Sequence, residues 1–409
     1  MIEIKGCNDY ALGQLERYWE EQPARIIPRE GGRFDFFDSF EFFKILNSKE
    51  MKFPMVRLYQ DGVPIDEGEY TFTRRYGGEE FPLTVDPNKV GVFISEGATT
   101  IIQSIEQHSS SVAGLCRVYE ESLFCPVQAN AFYTPCEKQS VAAHYDSSDV
   151  FVLQIDGSKD WRLWDFFEKR SNGKRPYNQQ VIDDLTRKTP PKFTFRLNPG
   201  EILYLPRGLI HQAQTTENDS LHISMIAHPT TWKLSVSKAI EQIADSLEAD
   251  LKFRSTVLVS GSIVGSKSKF SESSGVNEVV DKIVDSITWD QLKVSAVRRV
   301  IKSSFPSREG RLLDIIKNRT LSRDSFIQWR EQQPFEIEAR DSEVVIHLTD
   351  RALILPKVSF VAIQGLKNGE PVRVKSIRGL LTIDGKISLA QALVKNGICT
   401  VLDFRHEQV

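Results

Sequence analysis

The sequence predicts an α+β protein made of three successive regions. Up to about residue 230, short strands alternate with turns of Gly, Pro and Asp, which is typical of a sandwich or barrel. Residues 231–310 carry apolar side chains at three- and four-residue spacing and predict helices. Residues 311–409 combine short strands with one helix, in the order of a winged-helix-like unit.

In the first region, residues 10–27 predict an amphipathic helix that ends near Pro23, and residues 38–48 predict a second helix with Asp38 or Ser39 as its N-cap. An Asp-Gly turn divides two short apolar segments at 55–65. Residues 151–164 predict a strand, a turn and a strand. Residues 192–216 predict two strands around Pro199 and Gly200, and residues 220–228 predict one more.

The later elements follow the same rules. Residues 230–253 and 274–305 predict helices, and the Ser/Gly-rich segment 260–275 between them predicts a loop. Strands are predicted at 335–339, 343–348, 352–356 and 371–377. A helix at 388–397 is closed by Gly397 and followed by a strand at 398–404.

Composition narrows the class of protein. The net charge is -3 over 409 residues, so there is no firm signal for nucleic-acid binding. The basic segment 291–330 predicts a solvated helix face, the alternative being a docking patch for an acidic or RNA-containing partner. Five scattered cysteines without a CxxC pair fit a reducing compartment. Lacking a signal peptide or a membrane-length apolar run, the chain is expected to be soluble and cytoplasmic.

A metal site is predicted from three residues. His144 and Asp146 stand where a buried strand is predicted to begin, and i and i+2 side chains of a strand share a face. Downstream, a strand and a Pro-Gly turn lead to His211. Two histidines and one carboxylate form the facial triad of non-heme Fe(II) oxygenases, which leaves three positions of the ion open. We favour this interpretation over ordinary hydrogen-bonded strand histidines.

Four further polar residues are candidates for a neighbouring pocket. Lys159 follows His144 by fifteen residues and could hold the distal carboxylate of 2-oxoglutarate, the alternative being a solvated turn lysine. Asn130 could donate its amide to the cosubstrate or the substrate, or simply occupy a turn. His222 is interpreted as a core residue or a neighbour of the metal ligands, and Ser224, on the same strand face, could line the pocket.

Several segments together resemble the JmjC ribosomal oxygenases, which are Fe(II)- and 2-oxoglutarate-dependent protein hydroxylases of the cupin superfamily. The segments are NAFYTP from Asn130, AHYDSSDVFVLQIDGSKDWRLW from Ala143, PGEILYLPRGLIHQA from Pro199 and SLHIS from Ser220. The resemblance implies a JmjC double-stranded β-helix over 1–230, a helical dimerisation domain over 231–310 and a winged helix over 311–409.

The resemblance also implies residue roles. His144, Asp146 and His211 match the iron ligands, while Lys159 and Asn130 match residues of the 2-oxoglutarate pocket. Phe132 stands where eukaryotic-type members carry a tyrosine that reaches the cosubstrate, and Tyr133 or Thr134 could supply that hydroxyl instead. We therefore include Thr134 with Ser224 among the cosubstrate candidates.

The implied activity is hydroxylation of a protein side chain, in a ribosomal protein, by a homodimer that uses Fe(II), 2-oxoglutarate and O2. Three alternatives stay open: the same chemistry on a peptide or small natural-product precursor, N-methyl-lysine demethylation, and a metal-binding cupin without catalysis. The C-terminal regions favour a macromolecular target. The intact triad with Lys159 favours an enzyme.

Overall fold

The computed structural model describes residues 1–5, 13, 15–28, 32–248, 251, 254, 276–303, 310–330 and 335–402. These residues belong to two compact units. Unit 1 takes in the described parts of Met1–Pro229, Phe305–Gln333 and Val361–Val409, and unit 2 those of Thr230–Ser304 and Pro334–Phe360. The three domain ranges predicted from the sequence stay a prediction. The predicted loop at 260–275 lies outside the described residues.

The N-terminal part of unit 1 is rich in strands. Its fourteen described strands are β1 Ile2–Lys5, β2 Ala24–Ile27, β3 Val56–Gln60, β4 Val63–Pro64, β5 Thr71–Tyr76, β6 Glu79–Val85, β7 Thr99–Ile102, β8 Val127–Thr134, β9 Asp149–Asp156, β10 Lys159–Phe166, β11 Phe193–Leu197, β12 Ile202–Leu205, β13 Leu209–Thr215 and β14 Ser220–Ala227. Nine of them form one sheet in the order β1-β2-β12-β9-β14-β8-β7-β3-β4. A small sheet has the order β11-β10-β13, and β5 pairs with β6.

The two sheets face each other across an apolar core. Val150 and Val152 of β9 in the large sheet belong to the same buried cluster as Trp161 and Leu163 of β10 in the small sheet. The opposite face of the large sheet is covered by a second cluster, to which helices contribute. The inner faces of the two sheets therefore enclose the space in which a site could form.

The helices of this part are α1 Ser39–Leu46, α2 Glu67–Tyr70, α3 Pro87–Ser95, α4 Ser110–Leu123 and α5 Gln179–Lys188. Helix α1 begins where the sequence predicts, because the Asp38 side chain accepts a hydrogen bond from the Glu41 amide at 2.8 Å. The predicted opening helix is described only in part: Glu16–Tyr18 form a single 3-10 turn, and β2 follows.

The remaining described helices and strands follow in chain order. They are α6 Trp232–Ser246, α7 Val276–Ser286, α8 Trp289–Ser303, α9 Arg311–Lys317, β15 Phe326–Trp329, β16 Glu336–Ala339, β17 Glu343–His347, β18 Ala352–Pro356, α10 Phe360–Leu366, β19 Val372–Arg373, α11 Ile383–Lys395 and β20 Cys399–Leu402. Unit 2 contains α6, α7, α8 and the antiparallel sheet β16-β17-β18. The later part of unit 1 contains α9, β15, β19, β20, α11 and most of α10.

The structure differs from the sequence prediction in several details, of which three bear on the elements around the candidate site and on the helices. The segment 192–216 forms three strands instead of two, because residues 206–208 turn the chain between β12 and β13. The helix predicted at 274–305 is divided at residues 287–288 into α7 and α8. His144 and Asp146 precede a strand instead of starting one, since β9 begins at Asp149. Among the described helices, none is long and apolar enough to cross a membrane.

Candidate metal centre

The three predicted ligands meet at one point of unit 1. One ligand atom each from His144, Asp146 and His211 lie within 4.8 Å of one another. Asp146 Oδ2 is 3.5 Å from His211 Nε2, and the two imidazole ring centroids are 4.3 Å apart. His211, which follows the other two by more than sixty positions in the sequence, therefore forms one cluster with His144 and Asp146 that could hold a metal ion.

Backbone pairing explains why the ligands converge. His144 and His211 form an isolated antiparallel bridge, in which the His144 amide donates to the His211 carbonyl at 3.1 Å and the His211 amide donates back at 2.8 Å. The Gly208 amide donates to the Asp146 carbonyl at 2.8 Å. The ligand atoms of His144 and Asp146 lie close together, as the i, i+2 spacing predicts, although no strand is present at 144–146.

A glycine makes the turn before His211 possible. Gly208 has φ +86°, and a Cβ atom there would lie 1.9 Å from the Glu168 carbonyl oxygen. A side chain at this position would therefore meet both backbone strain and a clash with main chain. The close approach fixes the turn from which β13 carries His211 to the cluster.

Local hydrogen bonds give both histidines the same tautomer. Nδ1 of His144 lies 2.8 Å from the Ala142 carbonyl oxygen, and Nδ1 of His211 lies 3.0 Å from the Leu209 carbonyl oxygen. A carbonyl only accepts, so each Nδ1 donates and each Nε2 keeps a free lone pair. Burial, and secondly the neighbouring His144, lower the pKa of His211, which keeps this ring neutral. Two imidazoles and a carboxylate on one side are a donor set that suits Fe(II).

A cavity of about 120 Å³ lies beside the cluster, between the two sheets. Its wall is mostly apolar, with a few polar groups on β8 and β14. The lining residues besides the triad are Asn130, Phe132, Ser140, Val141, Val150, Val152, Trp161, Leu205, Ala213, His222, Ser224 and Ile226. A small, largely apolar cavity with a few convergent polar groups is typical of a ligand site.

Lys159 lies next to this cavity, in contact with the lining residue His222. Its side chain is 0% exposed, and Nζ donates to Thr134 Oγ1 at 3.0 Å and to His222 Nδ1 at 3.1 Å. Among the described residues, no carboxylate forms an ion pair with it. Burial lowers the pKa of Lys159 to about 7. A buried ammonium without a counter-ion points to an anionic ligand, because burial of an unpaired charge is otherwise costly.

The remaining candidates lie on the facing strands β8 and β14. Asn130 and Ser224 are directly opposite each other in the sheet, and both line the cavity. Asn130 Oδ1 accepts from the Ser104 amide at 3.1 Å, which fixes the side chain. Tyr133 points to the other face and bonds Asp219, whereas Thr134 lies beside the lysine. Thr134 is thus the hydroxyl of this strand that accompanies Lys159.

Sequence reasoning missed the importance of two cavity residues. The sequence predicts His222 as a core residue or a neighbour of the metal ligands, and the structure shows that it contacts Lys159 and lines the cavity. Trp161 also lines it, and its buried Nε1 has no hydrogen-bond partner among the described residues. The sequence did contain a signal for both. His222 lies two residues from Ser224 on β14, and Trp161 lies two residues from Lys159 on β10, so each shares the inward face of its strand with a predicted site residue.

Comparisons with known proteins find similarity over the part of the chain that contains this cluster. A family model for the JmjC domain matches residues 101–234. The bifunctional lysine-specific demethylase and histidyl-hydroxylase NO66 of Drosophila pseudoobscura pseudoobscura is 30% identical over 250 residues, which are 59% of this chain and 24% of that protein. The same-named protein of Dictyostelium discoideum is 33% identical over 177 residues, 41% of this chain and 33% of the relative. The chain therefore spans about a quarter to a third of these relatives' length.

The fold has a nearly full-length counterpart. The Escherichia coli ribosomal oxygenase YcfD, solved in complex with cobalt and 2-oxoglutarate, superposes with a TM-score of 0.56 at 14% identity, covering 97% of this chain and 99% of that one. Its complex with cobalt and succinic acid gives a TM-score of 0.57 at the same coverage. The predicted α+β fold with a double-stranded β-helix is confirmed, and residues 101–234 match the family model for the JmjC domain.

Proposed function

We propose that this chain is an Fe(II)- and 2-oxoglutarate-dependent oxygenase that hydroxylates a side chain of a ribosomal protein. The observation that carries the proposal is the convergence of His144, Asp146 and His211 beside a cavity flanked by the unpaired, buried cation of Lys159. A metal-binding face and a separate carboxylate-binding group are what a chelating 2-oxo dicarboxylate needs.

Each residue has a defined part in this proposal. Nε2 of His144, Nε2 of His211 and the Asp146 carboxylate would hold the iron. Bound iron supplies the redox chemistry by which O2 converts 2-oxoglutarate to succinate and CO2 and places the second oxygen atom in a C–H bond of the target. The ammonium of Lys159 pairs with the distal carboxylate of 2-oxoglutarate, and Thr134 Oγ1 accepts a hydrogen bond from the same ammonium group.

The other cavity residues orient the ligand and exclude water. Asn130 and Ser224 offer polar atoms from adjacent strands, and the valines and leucine of β9 and β12 keep the wall dry. A dry wall strengthens the pairing of a carboxylate with Lys159. The Asp146 side chain is 39% exposed, so the metal face is open to a target side chain arriving from solvent.

The assay is succinate formation with Fe(II), 2-oxoglutarate and oxygen. His144→Ala should lose turnover and metal binding, because two donors do not complete the triad. Tyr145→Phe is the matched control, since it keeps the ring that stacks on Phe167 at 5.1 Å, and it should retain turnover. Equal turnover in wild type and His144→Ala would contradict the metal site.

The target is tested by mass spectrometry of ribosomal proteins after incubation with the active enzyme. Gain of one oxygen atom on a side chain supports hydroxylation. Loss of a methyl group, with formaldehyde released, would show demethylation in its place. Modification of no ribosomal protein, with turnover on a small peptide or metabolite, would reject the ribosomal target and leave the oxygenase.

We further propose that the chain forms a homodimer in a reducing cytoplasm. Unit 2 exposes large apolar side chains that a monomer would leave in water, among them Trp232 at 68% and Trp289 at 67%. Among the described cysteines, Cys116, Cys136 and Cys399 are free thiols. Free thiols fit a compartment in which disulfides are reduced.

A further inference from the structure

His222 lies between Lys159 and the cavity. It is 4% exposed, and its ring stacks on Phe132 with centroids 4.6 Å apart and planes 10° from parallel. The two residues are direct partners in the β8–β14 register, so backbone pairing and ring stacking together fix the plane of the imidazole. The ring is therefore held in one orientation against the cavity wall.

The contact with Lys159 selects the tautomer of His222. In its protonated form Lys159 has donors only, so Nδ1 of His222, 3.1 Å away, accepts. Burial, and secondly the charge of Lys159, lower the pKa of His222, and the ring is neutral. A neutral imidazole whose Nδ1 accepts carries its proton on Nε2.

That Nε2–H group is uncommitted. Among the described residues, none forms a hydrogen bond with Nε2 of His222, and the residue lines the cavity. Its stacking partner Phe132 also lines the cavity but has no polar side-chain atom. Of these two residues, His222 alone can therefore form a hydrogen bond with a ligand. A neutral donor directed into a small apolar cavity is a specific recognition feature for an acceptor oxygen.

Resting on the proposed function, we infer that His222 is a cosubstrate-binding residue whose Nε2–H donates to a carboxylate oxygen of the dicarboxylate. Its Nδ1 simultaneously orients the ammonium of Lys159. The 2-oxo acid is then held by one charged and one neutral donor on the same wall, and His222 links the two. His222 does not belong to the cluster of His144, Asp146 and His211 that could hold the metal ion.

Two substitutions separate the two nitrogen atoms of the ring. His222→Gln places an amide near the position of Nε2 and keeps a donor toward the cavity. His222→Asn places an amide near Nδ1, so it keeps an acceptor for Lys159 and loses the donor toward the cavity. The readout is calorimetric titration of 2-oxoglutarate into Mn(II)-loaded protein without oxygen, with Mn(II) affinity and thermal unfolding as checks on the fold.

We expect His222→Asn to bind 2-oxoglutarate about 10-fold more weakly, as the loss of one hydrogen bond to a charged acceptor implies, and His222→Gln to bind nearly as tightly as wild type. The reverse order would show that His222 acts only by holding Lys159, and equal affinity of all three proteins would show no role. Either result overturns the inference and leaves the oxygenase proposal intact. Failure of the wild type to bind 2-oxoglutarate would instead overturn the oxygenase proposal.

An independent readout is the tautomer itself. In long-range proton–nitrogen NMR spectra of metal-free protein labelled at histidine, His222 should carry its proton on Nε2. Lys159→Met should weaken this preference, because the donor to Nδ1 is gone. A proton on Nδ1 in the wild type would refute the assignment without any measurement of activity.

Discussion

Lys159→Met should make the ligand-free protein more stable while weakening cosubstrate binding. A lysine whose pKa falls from 10.5 to about 7 on burial costs the folded state about 4 kcal/mol at pH 7. Methionine fills nearly the same volume without a charge. It also loses the hydrogen bonds to Thr134 and His222, at about 1 kcal/mol each. The net expectation is a gain of about 2 kcal/mol.

The assay is urea unfolding of metal-free wild type and variant, with Lys89→Met as the control because Lys89 is exposed on α3. Between pH 7 and 10 the unfolded chain keeps the Lys159 proton and the folded chain releases it. Wild-type stability should therefore rise with pH relative to the variant. The difference between the two should pass through zero and change sign before about pH 10, because the burial cost of about 4 kcal/mol disappears while the loss of two hydrogen bonds, about 2 kcal/mol, remains.

The affinity of Lys159→Met for 2-oxoglutarate should fall, although its stability rises. Without its ammonium the cavity loses one charge-assisted hydrogen bond to a carboxylate, so 2-oxoglutarate affinity should fall about 10- to 100-fold. A variant less stable than wild type at pH 7, or a stability difference independent of pH, would refute the conclusion that Lys159 is an uncompensated buried cation. Unchanged affinity would remove it from the cosubstrate site.

Two further predictions concern the turn and the assembly. Gly208→Ala should lower the free energy of unfolding by about 2 kcal/mol or more, because alanine would have to adopt a positive φ and its Cβ atom would clash with the Glu168 carbonyl oxygen. Gly91→Ala is the control: the position is on a helix with open space around it, so this substitution should raise the free energy of unfolding by about 0.5–1 kcal/mol. Urea unfolding measures both, and equal effects would contradict the packing account. Light scattering should give the mass of two chains, and Trp232→Ser with Trp289→Ser should shift it to one chain; an unchanged mass would exclude this face.

The ligand set could be predicted from the sequence because it depends on local rules. The i, i+2 spacing of His144 and Asp146 predicted that their side chains would meet, and they do so although no strand forms there. The turn chemistry of Pro206 and Gly208 marks where His211 must follow. The N-cap of α1 was predictable for the same reason, since Asp38 satisfies a nearby amide.

The partners of Lys159 could not be predicted in this way. His222 is 63 residues away in the chain, and their contact depends on which strands pair and in which register. A single sequence gives the inward face of each strand but not its neighbour. The sequence pattern does not predict the division of 274–305 into two helices. The helical spacing of apolar residues continues through residues 287–288, whereas the helix itself is interrupted there.

The bridge between His144 and His211 bears on how the protein exchanges metal. Main-chain hydrogen bonds hold the two Cα atoms at a fixed separation whether or not an ion is bound. Small zinc domains are different, because their ligands come together only when the ion binds and folding depends on it. An ion can therefore leave this protein and be replaced without refolding. Under the proposed function, activity would follow the supply of ferrous iron over the lifetime of each molecule, and recovery after iron loss would need no new protein synthesis.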